Sequence, residues 1–253
     1  MRLAVVHNLR EGGAHRRLVE QVGALDADIV EFTTSLATPV TARPYVVPLT
    51  IFAPALPAAL RPPQRLLDLR RLTTAWFALG DMADRAGADA VFVNPDSVLR
   101  GAMPFQARIP VLRYCDEPRR IDYEPSLRAS INPRTRALYA GLRGIERRLD
   151  RSAMAAAEAV ATNSRYTASR IAEAYGRPAE VLPCGAPAHM TPDWAQAPRH
   201  LLSVGTLIEG KGHDLVIEAA AVGISHTELV NLILEAAIMR YGLTTSRTVS
   251  LPS

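Results

Sequence analysis

Only two cysteines, Cys115 and Cys184, occur in 253 residues. Two are too few for a disulfide framework or a cysteine-based zinc site. Lysine is nearly absent: of the 29 cationic residues 28 are arginine, and the single lysine, Lys211, stands between Gly210 and Gly212. Nothing in the chain approaches the roughly 18 uncharged apolar residues of a membrane-spanning helix. The opening Met1–His7 is too short in apolar residues for a secretory leader and has no small-residue cleavage site. What is present is ordinary for a globular chain, 48% hydrophobic and 21% charged, enough to bury a real core. These features lead to an expectation of a cytoplasmic α/β protein. The net charge of +4 suits a nucleic acid, an anionic membrane face or a phosphorylated ligand without choosing among them.

Short apolar runs alternate with helical spacing. Ala4-Val5-Val6 runs into the loop Asn8–Gly13, after which Leu18, Val22 and Leu25 recur at helical intervals. Asp28–Phe32 reads as a second strand. Residues 38–63 hold seven prolines and predict loops and short edge strands. A helix over 64–86 follows, closed by Gly87. Ala90–Val93 and Ile109–Tyr114 read as strands, the second ending in Cys115-Asp116-Glu117-Pro118. A long basic helix is expected over 132–158, then a strand at Ala159–Ala161. Asn163-Ser164 offers a cap for a helix reaching Tyr175-Gly176, and Ala179–Leu182 predicts one more strand. This alternation predicts a mostly parallel sheet with ligands at the carboxyl ends of its strands. Prolines 183, 187, 192 and 198 mark a break, after which Leu201–Val204 restarts the pattern. The expected organisation is therefore a Rossmann-like domain over 1–185, a linker over 186–198 and a second, incomplete domain over 199–253.

Four segments, in order, carry a resemblance. They are the Gly12-Gly13 loop, Arg113–Arg120 (RYCDEPRR), Ala161–Thr167 with Leu182–Gly185, and Leu201–Leu215 (LLSVGTLIEGKGHDL). Together they resemble glycosyltransferase family 4, retaining enzymes of the GT-B fold with two Rossmann-like domains. The resemblance implies transfer of a hexose from a nucleotide sugar to a saccharide or lipid-linked hydroxyl acceptor. No metal or tightly bound cofactor is then expected. It places Gly12, Gly13, Gly205 and Lys211 around the donor diphosphate and Asp116 at a catalytic position where relatives often carry histidine. Two departures stand beside it. Thr206 replaces the usual arginine after Gly205, and the paired C-terminal glutamates of the family are missing. Residues 225–232 resemble a segment normally further downstream, which implies a deletion near 220–223. The unmatched tail 244–253 implies a change of reading frame.

Each residue also has a plainer explanation. Lys211 can be a solvated loop cation, Gly12-Gly13 a tight turn, Asp116 and Glu117 the start of a loop, and Asn163-Ser164 simply a helix cap. A second functional reading is a catalytically inactive remnant that binds an acceptor or a membrane surface. Its basic helix 132–158, with Arg134, Arg136, Arg143, Arg147, Arg148 and Arg151, would make peripheral contact at the inner membrane face. Nucleic-acid binding finds no recognised module or aromatic–basic interleaving to support it.

Overall fold

The computed structural model describes residues 1–51, 61–129, 131–184, 217, 221–224, 228, 231 and 235. The chain divides into two compact units, Met1–Ala186 and Pro187–Ser253. In the second unit Ile217, Ala221, Glu228, Asn231 and Glu235 are helical. The expected linker, the strand at 201–204, Gly205 and Lys211 lie outside the described residues.

The first unit is an α/β fold built on one seven-stranded, all-parallel sheet in the order β3-β2-β1-β4-β5-β6-β7. The strands are β1 (Arg2–Asn8), β2 (Asp28–Thr34), β3 (Tyr45–Val47), β4 (Ala90–Asp96), β5 (Val111–Tyr114), β6 (Ala159–Thr162) and β7 (Glu180–Val181). That strand order, with the reversal between β1 and β4, is Rossmann-like. The alternation of side chains along β1 shows how the sheet is covered. Leu3 and Val5 join Leu18 of helix α1 (Gly13–Gly23) on one face. Ala4 and Val6 join Leu72, Trp76 and Leu79 of α2 (Arg61–Arg85) on the other. A strand buried on both faces must be apolar at consecutive positions, which is why Ala4-Val5-Val6 reads as an unbroken run.

Further along, α6 (Ala140–Ala156) and α7 (Arg165–Tyr175) cover the β5–β6 half through Ala153, Met154 and Ile171, packed on Cys115 and Val160. Ser164 caps α7 by accepting the Thr167 amide at 3.1 Å, and Gly176 ends it in a left-handed conformation, as the sequence predicts. The proline-rich stretch yields the edge strand β3, whose Tyr45 ring stacks on Phe32 at 5.3 Å.

The structure corrects several expected boundaries. The single basic helix over 132–158 is two helices, α5 (Pro133–Leu138) and α6, broken at Tyr139. Tyr139 packs against the core beneath α2, and Gly141 and Gly144 just beyond it weaken helical continuity. That second helix stops at Ala156 because Ala157 turns extended and Glu158 instead bonds across to Val111, its carboxylate accepting the Val111 amide at 2.6 Å. Cys115–Pro118 leads not only into a loop but into two short helices, α3 (Arg120–Tyr123) and α4 (Pro125–Ala129). Helix α1 ends before Leu25, which is exposed, and α2 starts at Arg61, with Pro62 and Pro63 in its first turn, where a missing amide costs nothing. Strand β4 runs through Pro95 to Asp96. Among the described residues no helix is long and apolar enough to cross a membrane.

Candidate functional site

The carboxyl ends of β1, β4 and β5 open into one cleft of about 520 Å³. Its first wall is the glycine loop. Asn8 ends β1 fully buried, donating through Nδ2 to Asp96 Oδ2 at 2.6 Å and accepting from Thr34 Oγ1 at 2.5 Å, so one side chain ties three strands together. Beside it His7 Nδ1 accepts the Leu9 amide and Nε2 meets Glu31 Oε1 at 2.8 Å. The Glu31 carboxylate also accepts the Val40 and Thr41 amides and the Thr41 hydroxyl. Burial pushes Glu31 up, but these bonds, led by His7, prevail and hold it below the usual carboxylate range.

From this anchored base the loop reaches Gly12, at φ 155° and ψ −171°, a conformation essentially reserved for glycine. Gly12 precedes α1, and no side chain caps the first amides of that helix. Gly12, Gly13 and Ala14 line the cleft. Free amides at the positive end of an 11-residue helix are an anion-binding arrangement.

Opposite stands Asp116. Arg17, reaching across from α1, grips both of its carboxylate oxygens, Nε to Oδ1 at 2.9 Å and Nη2 to Oδ2 at 3.1 Å. The guanidinium is otherwise consumed. It donates to Gln21 and Asn94 and lies 3.8 Å over the Tyr114 ring. Burial raises the Tyr114 phenol to about 12, against the pull of Arg17. Asp116 remains 28% exposed, with lone pairs available to a hydroxyl, while Arg17 cancels the charge that would repel a nearby anion. From below, Asn163 Nδ2 donates to the Asp116 carbonyl at 3.0 Å, so the capping segment of α7 also steadies the site.

The floor of the cleft holds two more carboxylates. Asp96 accepts Asn8 Nδ2, Trp76 Nε1 and the Val98 and Leu99 amides, and burial still raises its pKa. Asp150 accepts the Ala102 amide at 2.8 Å and the Tyr175 hydroxyl at 2.8 Å, and burial raises it too. Gly101 permits this packing. A Cβ there would lie 2.7 Å from Asp150 Oδ1 and 2.6 Å from the Arg119 side chain. Arg113, wholly buried beside them, donates to the Met103 carbonyl, and desolvation lowers its pKa to about 10. Burial also pushes the Cys115 thiol up, so it is protonated and unreactive at neutral pH.

The predicted residues Gly12, Gly13 and Asp116 thus line one cleft, whereas Gly205 and Lys211 fall outside the described residues. Sequence reasoning missed Arg17, Asp96, Asp150 and Tyr175. Arg17 is written next to Leu18, on the buried side of α1, and only that adjacency hinted that it faces inward. Among the described residues no three or more His, Cys, Asp or Glu side chains are grouped to hold a metal ion. No family model matches the chain, and no curated protein does.

Proposed function

We propose that this chain binds a nucleotide sugar at the cleft of its first unit and transfers a glycosyl group to a hydroxyl acceptor. The observation that carries this reading is the pairing, across a single cleft, of the uncapped α1 amides with the Arg17-held carboxylate of Asp116. The amides suit a diphosphate and the carboxylate suits a polyhydroxylated group. In the transfer the bond from the anomeric carbon to the diphosphate oxygen breaks, and the acceptor oxygen bonds to that carbon on the same face. The electron pair leaves with the diphosphate, whose leaving oxygen takes up the proton of the acceptor hydroxyl. Loop amides lower the barrier by stabilising that growing charge. By the family resemblance, Lys211 and Gly205 would meet the diphosphate from the second domain of a GT-B arrangement, and no metal would be required.

Calorimetric titration of the full chain with nucleoside diphosphates tests the reading. Binding is expected to weaken as salt rises and to be lost in Gly12→Val, whose side chain the loop conformation does not accommodate. Incubation with nucleotide sugars and hydroxyl acceptors should release the nucleoside diphosphate. A chain that binds none of these nucleotides overturns the proposal.

A second reading, docking on an anionic membrane face without turnover, is favoured by one observation. The acids of α6 point inward: Glu146 is bound by Arg65 and Arg119, and Asp150 is fully buried. The outer face of α5 and α6 is left to arginine, with Leu138 and Ile145 exposed among them. Sedimentation with vesicles that contain or lack anionic lipid decides it, since an unchanged soluble fraction removes the membrane.

A further inference from the structure

The outer side of α6 carries a second cavity, a groove of about 760 Å³ rimmed by Arg147, Arg148 and Arg151. Arg151 lies four positions after Arg147 and three after Arg148, so it neighbours both on the helix surface. The groove has no carboxylate in its lining. Among the described residues, no hydrogen bond or ion pair engages the Arg147 or Arg148 side chain, while Arg151 donates to the Ala174 carbonyl at 3.0 Å. Gly141 and Gly144 open the groove, for a Cβ on either would meet no atom within 4 Å. Three guanidinium-bearing residues within five positions concentrate positive charge along the groove, and planar guanidinium forks match phosphate oxygens. The groove and the cleft share a wall. Tyr175 lines both, and its hydroxyl bonds Asp150 on the cleft floor.

We propose that this groove seats a phosphate group of the acceptor, so that the acceptor class is a phosphate-bearing hydroxyl compound. As a statement about the acceptor it rests on the glycosyl-transfer reading, while the phosphate seat itself can be measured without it. Glycerol 3-phosphate is the probe, titrated into the full chain by calorimetry. The wild-type chain is expected to bind it, and the Arg147→Ser/Arg148→Ser double variant to bind at least roughly tenfold more weakly. Gly144→Leu, which fills the groove without touching a charge, should lose binding equally while its melting temperature holds or rises. The control Arg134→Ser/Arg136→Ser, on α5, should bind as the wild type does.

Absence of glycerol 3-phosphate binding overturns the proposal, as does equal weakening in the control or full binding by Gly144→Leu, either of which would mean diffuse charge. Attachment to vesicles of phosphatidylcholine with phosphatidylglycerol, without binding of the soluble probe, also overturns it in favour of a flat lipid surface. Nucleoside diphosphate binding that depends on Gly12 but not on Arg147 and Arg148 reports on the cleft separately. Failure of the groove and failure of the transfer reading are thereby told apart.

Discussion

Two carboxylates line the cleft and are handled in opposite ways. Asp96 is sealed from water and satisfied by four neutral donors, two side-chain and two backbone, from β1, α2 and its own turn. Asp116 is paired with one cation, Arg17, and keeps part of its surface open to the cleft. A carboxylate whose lone pairs are all taken by the fold has nothing left for a ligand and acts as a joint. One held in place by a single guanidinium has its charge balanced and its orientation set, and can still accept a hydrogen bond. Proximity to the cleft therefore does not make a residue functional. The number of unspent lone pairs does.

The largest effect should come from breaking the joint. Asp96→Ala strands four buried donors, among them the Trp76 indole and the Asn8 amide, and is expected to cost about 3–5 kcal/mol in urea denaturation. The matching change beside Asp116, Arg17→Met, leaves that carboxylate intact but without its counter-charge. We expect a smaller destabilisation, about 1–3 kcal/mol, together with loss of nucleoside diphosphate affinity larger than that of Asp116→Asn. Equal stability losses in the two variants would erase the distinction drawn between these carboxylates.

The pH dependence of stability sharpens it further. Glu31, held below its ordinary value of 4.5, contributes stability that is present above that value and lost as pH falls through its lower folded value. Asp96, raised above its ordinary value of 3.8 by burial, has the opposite sign: its contribution is present below that value and lost as pH rises through its folded value. Melting curves from acid to neutral pH should therefore show Glu31→Gln flattening the acid-side loss and Asp96→Asn steepening it. The smallest effect belongs to the helix that supports Asp116 from below. Ser164→Ala removes the α7 cap and should cost about 1 kcal/mol by thermal denaturation, with little change at the cleft, because Asn163 makes the contact to Asp116.

How far the sequence could be read follows from what each feature depends on. Apolar runs such as Ala4–Val6 and Ala90–Val93 announced their strands because burial on both sheet faces demands them, and Ser164 announced its helix because capping is decided within one turn. Gly12 stood out because the backbone conformation there, at φ 155°, excludes other residues. The break at Tyr139 was not legible, since Pro133–Ala156 has ordinary helical spacing and the packing of the tyrosine on the core decides where it bends. Which way the acids of that stretch, Glu146 and Asp150, face was not legible either. In the fold they turn inward to Arg119, Arg65 and Tyr175, which lie 20 or more positions away in the chain.

By itself, then, the sequence determined the alternation of strand and helix, the glycine turn and the caps, all set by interactions within a few residues. The tertiary structure alone decided which charges are spent. Arg17 and Asp116 are 99 positions apart and Asn8 and Asp96 are 88 apart. Whether such groups meet depends on the order in which the strands are laid side by side, because only that order brings the carboxyl ends of β1, β4 and β5 to one cleft.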